Sequence, residues 1–155
     1  DCVPVLLFDP VKNVIGIVHA GWIGTLKRVC EAAVSGLINR FMSNADDIIA
    51  CIGPSIAVDH YEVGHEVLHQ FEVQFGKAAR DFFEVPQRGR PHLDLWRANE
   101  YQLRSAGVSK IENSEICTAC HNDDWFSHRQ EKGKTGRFGA IISLQEASNT
   151  HGNKS

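Results

Sequence analysis

The stretch at residues 14–25, VIGIVHAGWIGT, constrains the fold more than any other. Its apolar start, residues 14–18, predicts a strand that ends at His19. The chain then breaks at Gly21-Trp22-Ile23-Gly24, and Thr25 is placed to cap a helix. Glycine lets backbone approach a ligand closely, and a helix N-terminus offers free N–H groups to an anion. A strand ending in a ligand-type side chain, followed by such a turn, is a scaffold for a site. A second apolar run, residues 3–8, follows Cys2 and leads into Asp9-Pro10-Val11-Lys12-Asn13. Pro10 and Asn13 are turn residues, so the two runs predict a hairpin with Cys2 and His19 at strand edges. Both strands are apolar almost throughout, which suits a sheet covered on both faces.

The rest of the chain alternates helical and strand patterns. Apolar residues at 26, 29, 30, 33, 34, 37, 38 and 41 predict one helix over 26–41, with Cys30 in the core. Residues 48–52 predict a buried strand that includes Cys51. Residues 63–75 predict a helix capped by Gly76. Residues 95–105 predict another, with Asp94 as N-cap and Gly107 at its end. Trp96 is expected in the core, and further strands are expected within 108–116 and at 138–144. These elements predict an α/β class: a three-layer α/β/α sandwich around a mixed sheet.

Composition narrows what such a scaffold serves. With 155 residues, 43% hydrophobic and 23% charged, the chain supports one globular domain, expected over 1–145, with a polar, disordered tail at 146–155. A net charge of −3 gives no general attraction to nucleic acid or to an anionic membrane. No apolar run reaches the ~18 residues that span a bilayer. The opening DCVPVLLFDP lacks the basic region of a secretory leader. Five cysteines, an odd and scattered set, point to a reducing, cytoplasmic setting rather than a disulfide framework. Because the chain runs from Asp1 straight into a strand, the domain is expected to be truncated at its N-terminus.

Two motif matches weaken on inspection. His65-Glu66-Val67-Leu68-His69 spells the H-E-x-x-H of zinc proteases. Yet Val63, Val67, Phe71 and Phe75 form the buried stripe of that helix, and at about 100° per residue both histidines fall on the opposite, solvated face. Cys117-Thr118-Ala119-Cys120-His121 matches C-x-x-C and C-x-x-C-H. No second C-x-x-C completes a four-cysteine zinc site. Covalent haem would need export, and no helix pattern follows to make a thioredoxin-like pair. A structural thiol pair is the expected reading.

Arg129 and Arg137 lie in a loop rich in hydroxyl groups, where planar guanidinium forks can hold a phosphate. Cys2 and His19 are zinc-type ligands. A catalytic zinc usually takes three protein ligands, and the pattern supplies these two.

Several stretches together resemble one family. They are Asp1-Cys2-Val3-Pro4, His19-Ala20-Gly21-Trp22, Ile52-Gly53-Pro54-Ser55, Tyr61-Glu62-Val63-Gly64, Cys117-Thr118, Phe126-Ser127, Arg129 and Thr135-Gly136-Arg137. Their order and spacing are similar to the YfiH-like family, described as polyphenol oxidoreductase or laccase-domain proteins and as purine nucleoside phosphorylases. The resemblance implies a zinc held by Cys2, His19 and a histidine of a Q-x-H-G motif that precedes the D-C-x-P strand. It implies a purine nucleoside and inorganic phosphate as substrates, with Arg129 and Arg137 as anion contacts, and adenosine deamination as a second activity. Three positions depart from the family pattern: Ile23 and Gln130 stand where arginines are usual, and His128 where a tyrosine is. Two other readings stay open. One is a copper-dependent, laccase-like phenol oxidoreductase. The other is a non-catalytic domain.

Overall fold

The structure, a computed structural model of the chain, describes residues 1–145. The expected disordered tail at 146–155 lies outside the described residues. The centre is a four-stranded mixed sheet with the order β2-β1-β3-β6. Strands β1 (Val3–Asp9) and β2 (Val14–Ala20) form the expected antiparallel hairpin, and β1 also pairs antiparallel with β3 (Ile49–Ile52). Strand β6 (Lys110–Asn113) joins β3 in parallel. A separate two-stranded ribbon pairs β4 (Phe83–Glu84) with β5 (His92–Leu93).

Strand periodicity sorts the sheet into two faces. Val3, Val5 and Leu7 of β1 are fully buried, as are Ala50 and Ile52 of β3. This face receives the helices α2 (Val29–Phe41) and α4 (Leu95–Ser105), which also pack on one another. Helix α3 (His65–Phe75) closes the core from the side through Val67, Phe71 and Phe75. The opposite face carries Pro4, Leu6, Phe8, Ile15, Ile17, Ile49 and Cys51, all half-buried or exposed. Cys51, expected in the core, sits on this second face because Ala50 and Ile52 take the inward positions. The architecture is therefore mixed α/β around a mixed sheet, and the described helices α2 and α4 cover its Val5 face.

The helix expected over 26–41 is in fact broken. A short helix α1 (Trp22–Leu26) comes first, and the chain turns at Arg28, in the left-handed region at φ +59°, before α2 starts. Thr25 consequently caps nothing. It is buried inside α1, and Gly21 occupies the N-cap position. Backbone groups freed at this break need partners, and α4 supplies them. Gln102 donates from Nε2 to the Thr25 carbonyl at 2.8 Å and accepts at Oε1 from the Cys30 N–H at 3.3 Å. Asn99 pairs with the Thr25 hydroxyl and is anchored on the Leu95 carbonyl at 2.8 Å. Both amides are fully buried, and their bonds explain how a helix core tolerates them.

Asp94 caps α4 as expected, accepting from the Arg97 N–H at 2.9 Å. Gly76 ends α3 at φ +59°, and Gly107 follows α4 at φ +92°. His65 and His69 of the H-E-x-x-H string are exposed, as the helix spacing predicts. Trp96 packs against the core and donates its indole N–H to Ser55 Oγ at 2.6 Å. Residues 138–144 form no strand. Their apolar side chains are used otherwise: Phe138 stacks edge-on against Trp125 at 4.9 Å, and Ile141 is 90% exposed.

Candidate active site

The hairpin register builds the site. Pro4 pairs with His19 across β1 and β2, so both lie on the less covered face of the sheet. Cys2, two residues before Pro4, shares that face by alternation. The chain then leaves β2 through Gly21, whose place explains its identity. A Cβ on Gly21 would lie 2.8 Å from Cys2 Sγ and 3.8 Å from His19 Nε2. The thiol and the imidazole thus converge on the space that a side chain at Gly21 would fill. Both residues are exposed.

Around this pair opens a cavity of about 740 Å³. Cys2, His19, Tyr61, Phe126, Arg129 and Arg137 line it. The four residues singled out from the sequence, Cys2, His19, Arg129 and Arg137, therefore meet at one site, although they span almost the whole chain. Cys117 and Cys120 are not among the lining residues.

Asp1 fixes the far wall. Its Oδ1 accepts from Thr118 Oγ1 at 2.9 Å and Ser127 Oγ at 2.7 Å, and its Oδ2 accepts from the Arg129 N–H at 2.8 Å. One carboxylate thus ties residues 118–129 to the start of β1. Glu131 tightens the next turn by accepting from the Ser127 N–H and the Thr135 hydroxyl. The Thr135 hydroxyl bond, with the Ser127 N–H, holds its carboxyl below the usual range. The Phe126 ring packs against Gly136, where a Cβ would come within 2.8 Å of ring atoms. That contact explains the glycine before Arg137.

The two arginines are not equivalent. Arg129 donates from Nη1 to the Glu62 carbonyl at 2.6 Å and lies 4.9 Å over the Tyr61 ring. Its guanidinium is largely committed to the wall. Arg137 donates from Nη1 to the Gly136 carbonyl at 2.7 Å and to the Thr135 carbonyl at 3.4 Å, while Nε and Nη2 have no partner among the described residues. Burial pushes the Tyr61 phenol up to about 12, with the neighbouring Cys2 adding to the shift. Tyr61 is accordingly a neutral hydrogen-bond donor at physiological pH.

Sequence reading missed Asp1, Thr118 and Ser127 as the girder of this site, and Tyr61 as part of its lining. Their hydrogen bonds join residues more than 100 positions apart, and no local spacing signals that.

Known proteins are similar to this chain. A purine nucleoside phosphorylase from Bacteroides thetaiotaomicron is 37% identical over 148 residues, covering 94% of this chain and 55% of the relative. An adenosine deaminase from an unknown prokaryotic organism is 36% identical over 139 residues, covering 88% of this chain and 53% of its own length. The crystal structure of the hypothetical protein YfiH from Bacillus licheniformis superposes with a TM-score of 0.83 at 38% identity, covering 88% of this chain and 52% of that one. The chain spans about half the length of the relatives it matches. The family model described as multi-copper polyphenol oxidoreductase laccase matches residues 1–145. The chain belongs to that laccase-domain family.

Proposed function

We propose that this protein is a zinc-dependent purine nucleoside phosphorylase, with deamination of adenosine as a second activity. The observation that carries this reading is the convergence of Cys2, His19, Arg129 and Arg137 on one cavity with aromatic walls. Its size suits a nucleoside with a phosphate beside it. The names of the relatives, purine nucleoside phosphorylase and adenosine deaminase, support the same substrate class.

In phosphorolysis a phosphate oxygen attacks C1′ of the nucleoside. The C1′–N9 bond breaks, its electron pair leaves with the purine, and the purine takes up a proton. Charge develops at two places in the transition state, on an oxocarbenium-like ribose and on the departing base. Arg137, with donors free, holds the phosphate. Arg129, tied to Glu62 and Tyr61, shapes the wall and adds positive charge. Tyr61, protonated at working pH, donates a hydrogen bond to the leaving purine. Phe126 and Phe138 exclude water from the base. Deamination uses the same pocket for adenine, with water adding at C6 and ammonia leaving.

Cys2 and His19 fit a zinc ion as two of its ligands, because a thiol sulfur and an imidazole nitrogen face the same open point beside Gly21. Bound there, zinc supplies a Lewis acid at the cavity floor.

The test is product analysis with inosine. Hypoxanthine and ribose 1-phosphate should form together, and only when phosphate is present. Base release that ignores phosphate, or oxygen consumption on phenols with copper in place of nucleoside turnover, would overturn the reading.

A further inference from the structure

A second group of metal-type ligands lies away from the cavity. The donor atoms of His60, Cys117 and Cys120 all fall within 4.8 Å of one another. His60 Nδ1 is 3.7 Å from Cys120 Sγ and 3.9 Å from Cys117 Sγ. Zn–S bonds of about 2.3 Å and Zn–N bonds of about 2.0 Å, meeting at tetrahedral angles, set N···S edges of about 3.6 Å. The side chains already stand close to that spacing. On the basis of this geometry we propose that His60, Cys117 and Cys120 form a structural zinc site, separate from the Cys2–His19 pair.

The local structure favours this use of the thiols. Residues 117–121 close a turn through the His121 N–H to the Cys117 carbonyl at 3.0 Å, which brings the two sulfurs to one side. Cys117 is buried and accepts the Ala57 N–H at 3.4 Å, a bond that helps to hold its sulfur in place. Cys120 is exposed, which leaves an entry path for the ion. Asp59 Oδ1 lies 2.9 Å from His60 Nδ1, a contact that the imidazole nitrogen would exchange for the ion. Two thiolates and an imidazole select zinc over magnesium or calcium. All five cysteines are free thiols.

The site would act as a clip. His60 precedes Tyr61, and Cys117 precedes Thr118, which donates to Asp1. An ion joining the two turns fixes both walls of the cavity without touching substrate. Sequence reading saw the C-x-x-C but not its partner, because His60 lies 57 positions before Cys117 and belongs to no motif.

The test removes the first site and asks for the second. Protein carrying Cys2→Ser is stripped with chelator, kept reduced, and given zinc chloride. It should retain about one zinc per chain, and adding Cys120→Ser or His60→Ala should abolish that binding. Cobalt should give a thiolate charge-transfer band in Cys2→Ser and none in the double variants. Circular dichroism shows whether each variant is folded, and Cys120 is exposed enough to be replaced without disturbing the core. A folded Cys2→Ser protein that holds no zinc would overturn the proposal. So would zinc binding of equal stoichiometry in the double variants.

Discussion

Gly21 shows how a single residue constrains the site. Its backbone, at φ −73°, is one that any residue adopts, so its identity is set by space rather than by conformation. Gly21→Ala should fold with an unchanged circular dichroism spectrum. Its methyl group, 2.8 Å from Cys2 Sγ, should displace the thiol and weaken zinc binding at that pair by roughly 10–100-fold, the range typical of disturbed ligand support. A zinc titration of Gly21→Ala in a Cys120→Ser background isolates that pair, and unchanged affinity would mean that the two donors do not share an ion. Cys2 and His19 could be singled out in the sequence because each lies at the end of an apolar run, with Pro4 or Gly21 two residues on. Asp1 was not, since its role is to accept hydrogen bonds from Ser127 and Arg129 at the other end of the chain. A carboxylate that works over such a separation leaves no periodic trace.

At the scale of elements, the hairpin and the α1–α2 break carry the stability arguments. The break was hidden because the apolar spacing continues through it, and only tertiary contacts with α4 decide where the helix yields. Gln102→Leu strands the buried Cys30 N–H and removes one of two bonds to the Thr25 carbonyl, which keeps the Arg28 N–H at 3.0 Å. The expected loss is about 1–3 kcal/mol for the stranded group, seen as a lower denaturant midpoint at constant slope. The hairpin turn depends on Asp9, which is fully buried and accepts from the Val11 and Lys12 N–H groups at 2.8 and 2.9 Å. Burial alone would raise its carboxyl, but the nearby Ser43 hydroxyl and the hydrogen bonds from the Lys12 and Val11 N–H groups outweigh it and hold the group below the usual carboxylate range. With a depressed folded value, its contribution is complete above the unfolded pKa of about 3.9 and disappears as pH falls through the lower folded value. Thermal stability should therefore drop below about pH 4, and Asp9→Asn should make that acid limb shallower. An identical acid limb in the variant would remove Asp9 from the account.

Across the whole molecule, most of the sheet and its helices were readable from periodicity, while the assembly of the cavity was not. Short apolar runs placed β1, β2 and β3, and helical spacing with caps placed α3 and α4. The stretch at 138–144 misled because its apolar residues look like a strand, yet Phe138 and Ala140 line the cavity instead of joining a ladder. The C-x-x-C likewise looked self-contained and acquired meaning only when β3 and its following turn delivered His60. Long-range placement, rather than local propensity, brings Cys2, His19, Tyr61, Arg129 and Arg137 around one space. Under the proposed function, phosphate meets a purine nucleoside in this space. Initial rates of base release from inosine, measured against phosphate concentration for the native protein and Arg137→Ala, test it most directly. Base release should depend on phosphate, and the substitution should displace the curve to at least about tenfold higher phosphate, the loss expected when one charge-assisted contact is removed. Superimposable curves for the two proteins, or release that does not depend on phosphate, would contradict it.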